Sequence, residues 1–275
     1  GMPSSSVLEP VMYLYNRTKE KRYLDFAKYI VGQWETPGGP QLISKAIADV
    51  PVANRFPHPK TWFSRENGQK AYEMMSCYEG LLELYKVTGN PLYLSVVEKT
   101  VGHIVREEIN VAGSGSACWY GGKERQTQPT YHTMETCVTF TWMQLCNRLL
   151  QMTGNSLYAD YMETAIYNAL MASLKADASQ IAKYSPLEGW RHEGEEQCGM
   201  HINCCNANGP RAFAMIPQFA YQVQDDCVRV NFYAPSEAEL VLPGKKPVRL
   251  KQTTDYPRTD QIEIEVDPAK ETAFT

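Results

Sequence analysis

Residues 198 to 210 read Cys198-Gly199-Met200-His201-Ile202-Asn203-Cys204-Cys205-Asn206-Ala207-Asn208-Gly209-Pro210, and a shorter run, Met134-Glu135-Thr136-Cys137, lies upstream. Adjacent cysteines cannot both pack as small apolar residues on one regular face, because neighbouring side chains diverge on a helix and oppose each other on a strand. Core filling, a strained vicinal disulfide and metal ligation all fit the pair taken alone. Adding Glu135 and Cys137, with Cys198 and His201 as spare donors, favours ligation: three thiolates and a carboxylate are a four-donor set that zinc accepts. The expected ligands are therefore Glu135, Cys137, Cys204 and Cys205, for Zn2+, although their spacing is not that of a zinc finger. A closed site of this kind is structural. A site that presents one thiolate is reactive, since coordination holds sulfur in its nucleophilic form at neutral pH.

Positioning these residues falls to a repeat of helical hairpins. Leu14-Tyr15-Asn16-Arg17-Thr18 leads to Tyr23-Leu24, Leu84-Tyr85-Lys86-Val87-Thr88-Gly89-Asn90-Pro91 leads to Tyr93-Leu94, and Leu149-Leu150-Gln151-Met152-Thr153-Gly154-Asn155 leads to Tyr158. In each copy helical apolar spacing runs up to the threonine, glycine supplies a left-handed C′ residue, and asparagine caps the next helix. The first copy has Lys19 where the others have glycine. The pattern predicts antiparallel pairs, with helices over 71–84 and 92–104 and over 139–150 and 157–174. Repeated hairpins read as a partial (α/α)6 toroid, an ordinary helical bundle being the alternative. The joints at 35–68 and 107–130 are long and rich in Gly, Pro and Ser, as functional loops are.

Glu135 and Cys137 can reach one ion only if their helix begins there, where the chain is still extended or turning, because residues two apart on a helix do not share a face. Around Cys204 and Cys205, the residues Asn206, Asn208, Gly209 and Pro210 predict irregular backbone, with a short helix following at 211–221. Beyond it the period changes to two, and strands are predicted over 228–233, 239–242, 248–252 and 261–266, so that a β region begins near Asp226. The chain therefore divides into a mainly helical part, 1–222, and the start of an antiparallel β-sandwich, 223–275. That sandwich and the toroid are both incomplete.

Several separate motifs then align in order. Gly121-Gly122-Lys123-Glu124, Glu135-Thr136-Cys137, Lys183-Tyr184-Ser185-Pro186-Leu187-Glu188-Gly189, and Asn203-Cys204-Cys205 with Gly209-Pro210-Arg211 together resemble glycoside hydrolase family 127, the β-L-arabinofuranosidases, and related families such as 146. The resemblance implies a retaining exo-glycosidase built on an (α/α)6 barrel followed by β-sandwich domains. It implies zinc on Glu135, Cys137, Cys204 and Cys205, with Cys204 as nucleophile and Glu124 as general acid/base. It also implies that Tyr184 lies near the sugar. Glu124 follows Trp119 and Tyr120, and a carboxyl in such an aromatic pocket can start protonated; the competing reading is a solvated loop charge. Trp119 and His201 are candidate substrate contacts, and His192 is a further pocket candidate. The family places a histidine in the sugar pocket near the position of Gln69-Lys70, where this chain has none.

Composition agrees with a small neutral substrate. The 275 residues carry a formal charge of −4, against the basic face that a phosphate backbone requires. Seventeen tyrosines and five tryptophans suit stacking on sugars, and equally suit helix packing. Eight cysteines in this length are too few for a disulfide scaffold, and Cys77, Cys118, Cys146 and Cys227 are expected to be buried apolar residues. No apolar run reaches membrane-spanning length. Gly1-Met2 reads as a tag remnant before a start methionine, with no signal-peptide pattern after it, leaving cytoplasmic and periplasmic placement both open. A homo-oligomer, or an N-terminal half lying elsewhere, would complete the ring. The rival function is a truncated, non-catalytic carbohydrate-binding or scaffold protein with a structural zinc. An epimerase or lyase would leave the thiolates without a task.

Overall fold

A computed structural model describes residues 6–55, 69–119, 132–194, 196, 199 and 201–271. Its helices are α1 (Leu8–Thr18), α2 (Lys21–Trp34), α3 (Leu42–Ile47), α4 (Ala71–Thr88), α5 (Pro91–Glu107), α6 (Thr136–Thr153), α7 (Leu157–Ala165) and α8 (Cys204–Ala220). Strands β1 (Gln69–Lys70) and β2 (Cys118–Trp119) form a short antiparallel pair between helices. Strands β3 (Tyr221–Gln224), β4 (Cys227–Val230), β5 (Ser236–Leu242), β6 (Lys246–Thr254) and β7 (Ile262–Pro268) follow α8.

The three predicted hairpins form, and one device closes each of them. The hydroxyls of Thr18, Thr88 and Thr153 donate to the carbonyls of Leu14, Leu84 and Leu149 at 2.7–2.9 Å. The same oxygens accept from the backbone N–H of Glu20, Asn90 and Asn155. Between them Lys19, Gly89 and Gly154 all take left-handed φ, near 59°, 67° and 68°. Lys19 thus does what glycine does in the other copies, at about 1–2 kcal/mol of steric cost. Asn90 and Asn155 then cap α5 and α7 by accepting the N–H two residues on, each at 3.1 Å.

Helices α1, α4, α6 and α8 pack side by side in series, while α2, α5 and α7 each back onto their hairpin partner. The inner helices are consequently apolar over most of their circumference: Met74, Met75, Tyr78, Leu81 and Leu82 of α4 and Val138, Phe140, Trp142, Met143 and Leu145 of α6 are buried. Gly80 marks the closest approach, where a β-carbon would lie 2.7 Å from the Glu9 backbone nitrogen of α1.

Two departures from the sequence reading have local causes. The helix expected to reach Leu174 does run on to Ser173, but through a π-turn at Ile166–Leu170, where the 110–116 loop presses against it. Gly113 approaches Ala165 so closely that a β-carbon would meet its nitrogen at 2.7 Å, and the Ala169 N–H donates to the Ala112 carbonyl. The helix expected at 211–221 begins instead at Cys204 and runs through Pro210 and Pro217. An N-terminal capping box at Asn203 and Asn206 starts it early enough to offset the interior prolines.

The β region begins at Tyr221, directly at the end of α8, rather than near Asp226. It comprises a β3–β4 hairpin and a β5–β6–β7 meander, all antiparallel. Leu242, Val248 and Leu250 form its small core, with Tyr221, Val223 and Val228 against it. Buried Gln252 donates to the Tyr221 hydroxyl and the Phe232 carbonyl and so ties the meander to the hairpin. Cys77, Cys118 and Cys146 are buried as expected, whereas Cys227 is only half-buried, because the β3–β4 hairpin turns back at the surface beside it. Among the described residues no helix is long and apolar enough to cross a membrane.

Candidate metal centre

The site forms where the amino ends of α6 and α8 meet. Glu135 is the residue before α6, in extended conformation at φ −61° and ψ 128°, so that it and Cys137, two residues on, reach one point. A neighbouring segment pins this start. The Thr136 N–H donates to the Lys183 carbonyl at 3.0 Å, the Thr136 hydroxyl donates to the Ala182 carbonyl at 2.7 Å, and Glu135 bridges Tyr184. At α8 the Asn203 side chain accepts the Cys205 N–H at 3.0 Å, Asn206 accepts the Asn203 N–H at 2.8 Å, and the Asn203 amide reaches the Glu193 carbonyl. This cap places Cys204 and Cys205 in the first turn, where the helix carries partial positive charge.

The four predicted ligands converge. The Cys137 sulfur lies 3.2 Å from that of Cys204 and 3.1 Å from that of Cys205, and the donor atoms of Glu135, Cys137, Cys204 and Cys205 all fall within 4.8 Å of one another. The Asn208 amide donates to the Cys137 sulfur at 3.2 Å. Glu135, Cys137 and Cys205 are buried, while Cys204 remains half-exposed. Oε2 of Glu135 is buried without a hydrogen-bond partner among the described residues. A buried carboxylate oxygen in that condition is costly unless something else binds it. Three soft sulfurs, one carboxylate and an orphaned oxygen fit a zinc-type cation better than they fit a hydrogen-bonded core.

Electrostatics single out Cys204. Hydrogen bonds from Cys137 and Cys205 draw its thiol well below the usual range, against the opposing effect of burial, and Lys183 and Lys70 assist. Cys137 and Cys205 move the other way, chiefly because they donate those hydrogen bonds and are themselves buried. Burial pushes Glu135 up to about 7, with Lys70 opposing and the Cys204 charge adding. The shifts favour the thiolate form at Cys204, the least buried of the three sulfurs.

The other predicted residues are distributed around this point. Tyr184 is buried, its ring between His132 and His192 at centroid distances of 5.0 and 5.3 Å. Trp119 belongs to the main hydrophobic core, pressed against Gly115. His201 has a left-handed φ of 56° and an exposed ring, and it contacts Glu196 at 2.8 Å. Glu124 lies outside the described residues, as do its neighbours Gly121, Gly122 and Lys123, and so does Cys198. Two groups that spacing alone did not reveal are Lys70, immediately before α4, and Lys183, buried beside Tyr184. The sequence signal for Lys183 was its place in the Lys183–Gly189 motif, and for Lys70 its position where the family resemblance puts a pocket histidine.

The chain is 21% identical to the non-reducing end β-L-arabinofuranosidase of Bifidobacterium longum subsp. longum, over 94% of its own length and 43% of that protein. In structure it is similar to a GH127 β-L-arabinofuranosidase from Geobacillus stearothermophilus T6, with a TM-score of 0.69, 20% identity, and coverage of 94% of this chain and 44% of that one. It is also similar to a further glycoside hydrolase with a TM-score of 0.76 and 21% identity, covering 98% and 48%. The chain thus spans less than half the length of these relatives. The profile of the β-L-arabinofuranosidase GH127 catalytic domain matches residues 3–218, and the chain belongs to that glycoside hydrolase family.

Proposed function

We propose that this chain carries the reaction centre of a retaining glycoside hydrolase that releases a terminal L-arabinofuranose, or a similar sugar, from a carbohydrate substrate. Glu135, Cys137, Cys204 and Cys205 hold Zn2+. When bound, the ion keeps its sulfur ligands deprotonated and adds positive charge beside them. Cys204, the most accessible of the three sulfurs, attacks the anomeric carbon as the glycosidic C–O bond breaks, leaving the sugar on Sγ. Glu124 gives its proton to the departing oxygen, then takes one from the water that cleaves the C–S bond, and two inversions give net retention. Tyr184, backed by His132 and His192, borders the sugar, and His201 is a further substrate contact in this reading, whereas Trp119 lies in the hydrophobic core.

The observation that carries the proposal is the convergence of four side chains from two distant stretches within 4.8 Å, with Cys204 alone half-exposed. The serial packing of α1, α4, α6 and α8 supports reading 1–222 as part of an (α/α)6 toroid, and the antiparallel strands support 223–275 as the beginning of a β-sandwich. Zinc-loaded protein and its Cys204→Ala variant, each incubated with an aryl β-L-arabinofuranoside, test the chemistry. We expect hydrolysis by the first and a loss of at least a hundredfold in the second; equal turnover would refute the cysteine nucleophile. Because the chain spans less than half of its relatives, a scaffold or carbohydrate-binding role with a structural zinc is the second reading. Stoichiometric zinc without turnover of any glycoside in a panel would favour it.

A further inference from the structure

Asn203, Asn206 and Asn208 stand together at the start of α8, and the first two are occupied by its cap: Asn203 accepts the Cys205 N–H, and Asn206 accepts the Asn203 N–H. Asn208 takes no part in the cap. It lies in the second turn of the helix, where asparagine is a poor choice because its side chain competes with the backbone for hydrogen bonds. Its half-buried amide instead donates across to α6, to the Cys137 sulfur at 3.2 Å. Asn208 follows Cys204 by four residues and Cys205 by three, so the three share one face of α8. One helix therefore supplies two sulfurs of the cluster and a hydrogen-bond donor to the third.

That contact opens a series that ends on the half-exposed sulfur. Cys137 receives the amide hydrogen and donates in turn to Cys204 at 3.2 Å, and hydrogen bonds in series polarise one another in the same direction. Once Cys137 is deprotonated as a ligand, the same amide faces an anionic sulfur, where a hydrogen bond is about twice as strong as at a neutral one. We propose that Asn208 is a positioning residue of the metal centre: its amide fixes the Cys137 sulfur and draws electron density from it, so that Cys137 holds the ion while Cys204 reacts. The inference rests on the zinc reading above. It is distinct from the four ligands and from any group that touches the sugar. The competing role is packing, a half-buried amide filling the space between α6 and α8.

The test compares the full-length wild type, Asn208→Leu and Asn208→Ala, metal-free and loaded with Zn2+ or with Co2+, whose thiolate complexes absorb in the near ultraviolet. Leucine keeps the bulk of the side chain and removes the donor; alanine removes both. Both are better helix formers than asparagine, so the metal-free thermal midpoints should match or exceed that of the wild type. The zinc dissociation constant, measured by competition with a chromophoric chelator, should rise about ten- to hundredfold in each variant. The thiolate-to-cobalt charge-transfer band should move to longer wavelength in both, because a sulfur without its hydrogen bond gives up electron density more readily. A packing role predicts instead a weakened metal-free Asn208→Ala and an unmoved band in Asn208→Leu. A metal-binding wild type whose band stays in place in Asn208→Leu overturns the inference and leaves the zinc reading standing. If Asn208→Leu fails to fold, the band of Asn208→Ala decides in the same way. Absence of zinc and cobalt binding by the wild type overturns the zinc reading, and the inference with it.

Discussion

Gly209 holds the helix that carries Cys204 and Cys205 against the segment that pins Glu135, and a single added methyl group tests how tightly. A β-carbon at Gly209 would lie 2.7 Å from Cγ2, 2.8 Å from Cγ1 and 3.1 Å from Cδ1 of Ile181. Moving the first contact from 2.7 Å out to the 3.4 Å where ordinary contact begins displaces α8 or the Ile181 segment by about 0.7 Å. The three nearest atoms include the branch point's own substituents, so no single rotation of Ile181 relieves them all. Alanine in a helix interior gains about 1 kcal/mol over glycine, and crowding of this kind costs about 1–3 kcal/mol. Gly209→Ala should therefore destabilise the protein by roughly 1 kcal/mol. Gly102→Ala is the matched control: it is an exposed position in α5 with nothing within 4 Å of the new methyl, and it should stabilise by about 0.5–1 kcal/mol. Urea unfolding of the two variants should differ by about 2 kcal/mol, and in an Ile181→Ala background, where all three crowding atoms are gone, Gly209→Ala should turn neutral or stabilising. Equal stability of the Gly209→Ala and Gly102→Ala proteins would refute the argument. Where α8 is the part that moves, the same shift of about 0.7 Å enters the positions of both its sulfurs, and exceeds the tolerance of about 0.5 Å for a preorganised site.

Two further predictions concern charges buried between the inner helices. Glu79 is buried and its carboxyl is held well above the usual range, first by burial and then by Glu9 and Glu83, with Arg148 and Arg211 opposing. The folded protein therefore keeps a proton that the unfolded chain releases near 4.5, and this contribution to stability is complete below that pH and is lost as pH rises through the folded value. Urea midpoints of the wild type should fall relative to those of Glu79→Gln between about pH 5 and pH 8; parallel curves would contradict the sign. Arg148 of α6 ties Glu9 of α1 and Glu83 of α4 into one network, with its side chain only 11% exposed. Arg148→Met leaves Glu83 to Lys86 alone and should cost about 3 kcal/mol, read as a drop of about 6–12 °C in thermal midpoint; a drop under about 2 °C would show that the network carries no net stability.

What the sequence made legible follows from how local each signal is. Thr-Gly-Asn turns are written in consecutive residues, so the hairpins at Thr88 and Thr153 could be read directly, and the tyrosine register extended the reading to Thr18 although Lys19 breaks the glycine rule. The helix start at Glu135 was also legible, because residues two apart can share an ion only where the chain is not yet helical, and the structure resolves that start as extended. Helix α8 was not, since Pro210 looks like a boundary, and the capping box that overrides it depends on Asn203 and Asn206 satisfying each other's backbone. The π-turn at Ile166–Leu170 was invisible for a stronger reason: it is imposed by Gly113 and Ala112, which lie more than fifty residues earlier and act through tertiary contact.

The cluster itself shows why three cysteines of one type need not behave alike. Cys137 and Cys205 sit inside their helix starts and are buried, so each is shielded from solvent on all sides and serves as a donor toward Cys204. Cys204 is the first residue of α8, one position nearer the end of the helix, and that single position leaves its sulfur half-exposed while still facing the positive ends of both helices. A nucleophile needs charge and access together, and burial normally trades one for the other. At Cys204 two neighbouring sulfurs and two helix starts stand behind the sulfur, and its remaining side is half-exposed.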